Sequence, residues 1–243
     1  RLVYRDGQEL WGTDGTVAGT ADLGGSVTAT LVAQGGRVYF VSADPGSQTF
    51  TLGSTDGTLG GTRQVVGLGA LQSADVLATA GGKVYVFAER SSVAPVLIAT
   101  DGTAAGTKRI SRVALAPYNR VPPVDVGGRL FFSGSTRLFA PSGSLWVSDG
   151  TAQGTKPVVD ASGHAFDNPT ALRAFAGTLV FATADATATR LWQSDGTPAG
   201  TRLLLTFLNP TSTTGTDLTV VGDRLFFSRT TKASGTELWA LRP

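Results

Sequence analysis

Trp11-Gly12-Thr13-Asp14-Gly15-Thr16-Val17-Ala18-Gly19-Thr20 ends in a tract, D-G-T-x-x-G-T, that returns at Asp56, Asp101, Asp149 and Asp195. Successive aspartates stand 42, 45, 48 and 46 residues apart. Self-similarity at this period marks a repeat architecture, because units so short bury a core only by stacking on one another. A sixth copy carries Glu237-Leu238-Trp239 but departs after it: Arg242 and Pro243 stand where Asp and Gly would fall.

Around the tract each copy reads as four short segments. The first is apolar and ends at a tight turn: Val27 to Ala33 before Gly35-Gly36, Val76 to Ala80 before Gly81-Gly82, Val124 to Val126 before Gly127-Gly128. Leu172 to Ala176 before Gly177, and Leu218 to Val221 before Gly222-Asp223, repeat the pattern. The second is β-branched and aromatic, as in Val38-Tyr39-Phe40-Val41 and Leu130-Phe131-Phe132. Gly-containing two-residue turns between such runs are a strong hairpin signal. Continuous apolar runs of this length fit strands covered on both faces.

The third segment carries Leu-Trp, replaced by Leu52-Gly53 and Leu97-Ile98 in the second and third copies. The fourth opens on a basic residue at Arg63, Lys108, Lys156 and Arg202, which suits an outermost strand protected against edge-to-edge pairing. No segment sustains a helical period. The reading is an all-β β-propeller of ~45-residue four-stranded blades, six of them, with the terminal blades incomplete. Five blades with a spare hairpin is the alternative. The whole chain, 1–243, is expected to form one propeller domain with repeats at about 1–23, 24–68, 69–113, 114–160, 161–208 and 209–243.

Composition narrows the chemistry. The 20 basic and 18 acidic side chains leave a net charge of +2, with no Lys/Arg run, which argues against nucleic acid as a partner. There is no Cys, so disulfides, thiolate catalysis and zinc–thiolate sites are all excluded. No apolar run approaches the ~20 residues that a membrane-spanning helix needs. The absence of Met leads to the expectation that Arg1 is not the translational start, as in a processed secretory protein or an excised fragment.

The aspartates Asp14, Asp56, Asp101, Asp149 and Asp195 invite two readings. As a turn, the Asp carboxylate accepts backbone N–H groups two residues on, Gly supplies φ > 0, and Thr satisfies another backbone group. As a calcium loop, the Asp oxygens would suit a hard cation, but one carboxylate per loop is too few and no D-x-[DN]-x-D spacing occurs. The structural turn is preferred, and no metal or cofactor is expected. The tryptophans read as packing anchors because they recur in register.

These repeats resemble the E-L-W-x-[ST]-D-G-T-x-x-G-T tandem repeats of bacterial secreted or outer-surface proteins, the hyalin-like repeats. Glu9-Leu10-Trp11-Gly12-Thr13-Asp14-Gly15-Thr16 and Leu191-Trp192-Gln193-Ser194-Asp195-Gly196-Thr197 carry the likeness, which covers essentially the whole chain. The turn is also similar to the Asp-box of sialidase-type propellers, and the Leu-Phe-Phe hairpins to those of YWTD-type propellers. These resemblances imply a propeller fold and a secreted or outer-surface location. They carry over no catalytic set.

In a four-stranded blade the Gly-Gly turns and the Asp-Gly-Thr turns share one face, leaving the longer, divergent loops on the other, where binding residues usually lie. Those loops supply the candidate ligand-binding residues Tyr118, Asn119, Arg120, Arg137, Phe139, His164, Phe166, Asp167, Asn168 and Asn209. An aromatic and amide-rich rim suits sugars or peptides; the competing reading is a solvated loop surface. His164 is the only histidine, which excludes multi-histidine metal sites. No G-x-S-x-G context supports a serine nucleophile beside it. Glu occurs only at Glu9, Glu89 and Glu237, so paired catalytic acids are scarce. The expectation is a non-enzymatic extracellular binding or adhesion module that takes a glycan or a protein on its long-loop face. The alternatives are a polysaccharide-acting hydrolase or lyase at the propeller mouth, and a structural repeat segment of a larger surface protein.

Overall fold

A computed structural model describes residues 1–27, 30–44, 46–90, 93–111, 113–115, 121–136, 143–208, 217–231 and 235–243. They contain strands and turns only, arranged in six sheets. The first sheet comprises β1 (Leu2–Asp6), β2 (Glu9–Thr13) and β3 (Ala21–Ser26). The second comprises β4 (Val32–Gln34), β5 (Arg37–Asp44), β6 (Thr49–Thr55) and β7 (Arg63–Ala70). β8 (Ser73–Ala80), β9 (Lys83–Arg90), β10 (Val93–Thr100) and β11 (Lys108–Ser111) form the third. The fourth holds β12 (Ala114–Leu115), β13 (Val124–Val126), β14 (Arg129–Ser135), β15 (Ser144–Ser148) and β16 (Lys156–Pro157). β17 (Thr170–Phe175), β18 (Thr178–Ala184), β19 (Ala188–Ser194) and β20 (Arg202–Leu208) make the fifth; β21 (Thr219–Val221), β22 (Arg224–Thr231) and β23 (Gly235–Leu241) make the sixth.

The four-stranded sheets are antiparallel meanders in sequence order, as in β4-β5-β6-β7 and β17-β18-β19-β20, whereas in the fourth sheet β12 and β13 both pair with β14. The basic-led fourth segment lies at the sheet edge, with β7 and β20 mostly exposed. β16 is only two residues long, and its second residue, Pro157, has no N–H to donate to a ladder.

The chain divides into two compact units, one built on Arg1–Ala114 with Gly150–Gln153, the other on most of the chain from Leu115 to Pro243. Packing inside each is head to tail. In the first unit Leu10 and Leu23 of the first sheet meet Phe40 of the second and Val27 ahead of it. Tyr39, Val41, Leu52 and Leu68 of the second sheet meet Ala74, Val84 and Val86 of the third. In the second unit Phe131, Leu145 and Val147 meet Leu172, Leu179 and Phe181, and Val180, Ala182, Leu191 and Phe207 meet Leu218, Leu225 and Phe227. Val180 therefore faces forward while its neighbours Leu179 and Phe181 face back. A strand buried on both faces has no solvated side, which is why the second segments read as continuous apolar runs.

The Trp position lies opposite an aromatic of the second strand: Phe132 pairs with Trp146, Phe181 with Trp192 and Phe227 with Trp239. In the second copy the partner of Phe40 is Gly53. The Phe40 ring lies where a Cβ at residue 53 would be, so the missing Trp is replaced by a ring from the opposite strand. Cross-strand aromatic cover of a glycine restores contact that the glycine cannot make.

Candidate functional site

The two ends of the sheets differ in chemistry, and the repeated end is the simpler. In the first copy the Asp14 carboxylate accepts the Thr16 N–H (3.0 Å) and the Thr16 hydroxyl (2.8 Å). Thr16 Oγ1 in turn accepts the Gly19 N–H (2.9 Å), and the Thr20 hydroxyl donates to the Thr16 carbonyl (2.7 Å). The residue before the Asp joins in: Thr13 Oγ1 accepts the Gly15 N–H and shares a 2.6 Å bond with Thr20. The same set recurs around Asp56, Asp101 and Asp195. Every hydroxyl of [ST]-D-G-T-x-x-G-T is thus engaged in closing its own turn. Among the described residues no group of three His, Asp or Glu side chains could hold a metal ion.

A basic residue that opens the second strand braces this turn, a feature the sequence reading did not single out. Arg37 donates from Nε to Ser54 Oγ (3.1 Å) and from Nη2 to the carbonyls of Ser54 (3.1 Å) and Gly61 (2.5 Å). Arg1 reaches the Gly19 carbonyl at 3.2 Å, and Arg129 reaches that of Asp195 at 2.8 Å. The signal was present as the basic residue after Gly-Gly at Arg37, Lys83 and Arg129. It also shows that the Gly-Gly and Asp-Gly-Thr turns occupy the same end of the sheet.

The Thr hydroxyl first, and then the Thr amide, hold the carboxyls of Asp14, Asp56, Asp101 and Asp195 below the usual carboxylate range, with Arg1, Arg37, Lys83 and Arg129 adding a smaller charge effect. Their folded-state pKa values lie below the unfolded ones, so the unfolded chain takes up protons first as pH falls. The stabilisation is complete above the unfolded value of about 4 and is lost as pH drops through the lower folded values. Thermal midpoints are expected to be level from neutrality to about pH 5 and to fall below about pH 4. Asp56→Asn and Asp101→Asn together should flatten that fall; an unchanged acid limb in the double variant would contradict the assignment.

The opposite end of the second unit holds a cleft of about 420 Å³ where the loop before β17 crosses the β18–β19 hairpin. The loop is folded by Asp160, whose carboxylate accepts the N–H groups of Ser162 (2.8 Å) and His164 (3.0 Å). It is pinned to the fourth sheet by the Leu145 N–H on the Phe166 carbonyl (2.9 Å) and by the Ser144 hydroxyl on Asp167 (2.8 Å). Phe166 is buried and edge-on to Phe181 at 5.0 Å and to Trp192 at 4.8 Å. Trp192 remains half-buried, lines the cleft, and donates its indole N–H to Thr183 Oγ1 (3.0 Å). Asn168 adopts φ 48°, the left-handed region that Asn tolerates better than most residues, and carries the chain out of the loop.

Asp185 and Arg190 complete the rim from the hairpin. Asp185 accepts the Thr187 N–H, the Thr187 hydroxyl and the Ala188 N–H, and its second oxygen pairs with Arg190 at 2.5 Å. The Thr187 hydroxyl first, and Arg190 next, push its carboxyl far below the usual range. A carboxylate so held has no proton to give near neutral pH and its lone pairs are already occupied, which unfits it for general acid work. Asp160 spends one oxygen on the loop itself and Asp167 spends one on Ser144 of β15, and the second oxygen of each is an acceptor for a hydroxyl or amide.

Of the residues singled out in the sequence, His164, Phe166 and Asp167 come together at this cleft, with Asn168 next to them in the chain. Tyr118, Asn119, Arg120, Arg137, Phe139 and Asn209 lie outside the described residues. Thr183, Asp185 and Arg190 were not singled out, and the Asp-Ala-Thr turn at 185–187 was the only local sign of them. Trp192 was read as a packing anchor; it packs on Phe166 and also faces the cleft.

The fold is all-β, built from repeated antiparallel sheets, and its divergent end carries an open aromatic cleft with a polar rim. No protein-family model matches the chain, and no curated protein matches it. Among solved structures the chain is similar to the tricorn protease, at 18% identity and a TM-score of 0.44 over 87% of this chain. It spans 21% of the length of that protein. It is also similar to BamB from Moraxella catarrhalis, at 14% identity and a TM-score of 0.29, covering 98% of this chain and 92% of the other.

Proposed function

We propose that this chain is a non-enzymatic binding module of the bacterial cell exterior, each sheet one of six propeller blades, and that it takes a glycan in the cleft between the 160–167 loop and the β18–β19 hairpin. The observation that carries this reading is the pairing of a half-buried Trp192 ring with carboxylates that line the same cleft. Sugar rings present an apolar C–H face to an aromatic and hydroxyls to acceptors, and this lining offers both. Three carboxylates against one guanidinium make a neutral sugar the better fit than an acidic one. The exterior location is supported by the resemblance of the repeats to those of secreted bacterial proteins.

The test is a titration of the protein against arrayed neutral and acidic glycans, followed by the exposed variants His164→Ala and Asp167→Asn. Neutral glycans are expected to bind in the micromolar range, and the double variant to lose roughly tenfold, which is about 1.4 kcal/mol. No retained glycan, equal binding by the double variant, or release of reducing ends from bound glycan would each overturn the reading.

A further inference from the structure

The sequence contains six Asp-Gly bonds and no Asn-Gly. An Asp-Gly bond is a chemically vulnerable point of a chain, because glycine has no side chain to hinder attack of its nitrogen on the aspartate carboxyl carbon. Five of the six lie in the repeated tract, at Asp14, Asp56, Asp101, Asp149 and Asp195; the sixth is Asp6-Gly7, at the tip of the β1–β2 hairpin. The tract holds both reactants. In four copies the glycine N–H donates to the hydroxyl of the residue before the aspartate: Gly15 to Thr13, Gly57 to Thr55, Gly102 to Thr100 and Gly196 to Ser194, at 2.9–3.0 Å. In the same copies the carboxylate is held by the amide and the hydroxyl of the Thr two residues on. Closing a ring between the two groups means removing the glycine proton and turning the carboxyl onto the nitrogen, so these bonds must break first. The carboxyl must also be protonated to leave as water, and the bonds from Thr favour its charged form.

Neither reactant is held at Asp6-Gly7. Both residues are exposed, and neither the Asp6 carboxylate nor the Gly7 N–H bonds to another described residue. Gly7 sits at φ 59° with open space around it. We infer that Asp6 is the site of aspartate isomerisation in the folded protein. The Gly7 nitrogen bonds to the Asp6 carboxyl carbon, the amide proton and the carboxyl hydroxyl leave as water, and a five-membered succinimide closes. Water then opens the ring at the backbone carbonyl, so the chain continues through the former side chain as isoaspartate; one water is lost and one regained. The product lengthens the main chain by one carbon beside Gln8. The Gln8 carbonyl accepts the N–H of the buried Val27 (2.7 Å), and its side-chain oxygen accepts the Ser26 hydroxyl (2.7 Å). Val27 packs with Phe40 of the second sheet, so the lengthened turn strains a tie between this hairpin and the core of the first unit.

The test is to age the intact chain in mildly acidic buffer below its thermal midpoint, with a second sample in denaturant, and to map isoaspartate in peptides cut after Glu9 and after Lys and Arg, which separates Asp6 from Asp14. In the folded sample Asp6 should isomerise at least about tenfold faster than Asp14, Asp56, Asp101 or Asp195, the factor that one hydrogen bond to a charged group is worth. In denaturant all six aspartates should react at similar rates, because the difference lies in the fold. Thr58→Val removes the hydroxyl that holds Asp56 and should raise isomerisation there by roughly tenfold. Asp14 and Asp101 stay slow in that variant and report that the chain is still folded. A folded Asp6 as slow as the tract aspartates, a tract aspartate that outpaces it in the wild type, or the same ranking of sites in denaturant would overturn the inference.

Discussion

Gly61→Ala is expected to destabilise the first unit by about 2–4 kcal/mol, whereas Gly60→Ala, one residue away, should be neutral or stabilising by up to about 1 kcal/mol. A Cβ on Gly61 would fall inside the Asp56 carboxylate, while a Cβ on Gly60 would meet open space. Neither glycine is in the left-handed region, so the contrast isolates packing from backbone strain. The carboxylate has no easy retreat. Moving it away from residue 61 breaks its bonds to the Thr58 amide and hydroxyl, and Thr58 Oγ1 then loses its place for the Gly61 N–H. The residue matching Gly60 is Ala18, Ala105 and Ala199 in other copies, which fits a position open to a side chain. The same collision with the Asp carboxylate awaits a Cβ at Gly19, Gly106, Gly154 and Gly200. Denaturant midpoints of the two variants decide the matter; equal values would remove the clash as the reason for the invariant second Gly of the tract.

Phe166→Ala should cost about 3–5 kcal/mol in the second unit and abolish ligand binding at the cleft, while Phe166→Leu should cost less than about 2 kcal/mol. Phe166 is 5% exposed and belongs to the cluster that joins the fourth and fifth sheets. Its ring fixes Trp192 from one side, and the Thr183 hydroxyl fixes the indole N–H from the other. Removing the ring leaves a cavity and frees the indole to turn, so fold and site are affected together. His164→Ala, an exposed change in the same loop, provides the control and should alter stability by less than about 0.5 kcal/mol. Thermal midpoints and glycan titration on the same samples separate the two effects. A Phe166→Ala protein as stable as the wild type would show that the loop does not close the core there.

The all-β class and the four-segment copy were legible because both are written locally. Asp-Gly-Thr closes its turn with its own hydroxyls within eight residues, from Thr55 to Thr62, and needs nothing distant to do so. The cleft was only partly legible. His164, Phe166 and Asp167 stood out as unusual residues of one loop, but their companions Asp185, Arg190 and Trp192 come from a hairpin some 20 to 30 residues on. Trp192 recurs in register with the repeat, and that regularity concealed its second exposure.

By itself the sequence determined the period, the strands, the turn chemistry and the end of each sheet at which the copies agree. Only the tertiary structure decided which divergent side chains meet, that Asp185 is bound up by Arg190 and its own turn, and that Phe40 fills in for the absent Trp at Gly53. The division follows from the range of the forces. Turn hydrogen bonds act between near neighbours and leave a mark in every copy, whereas burial depends on what stacks against a face, and that is set by the order of the sheets rather than by any one of them.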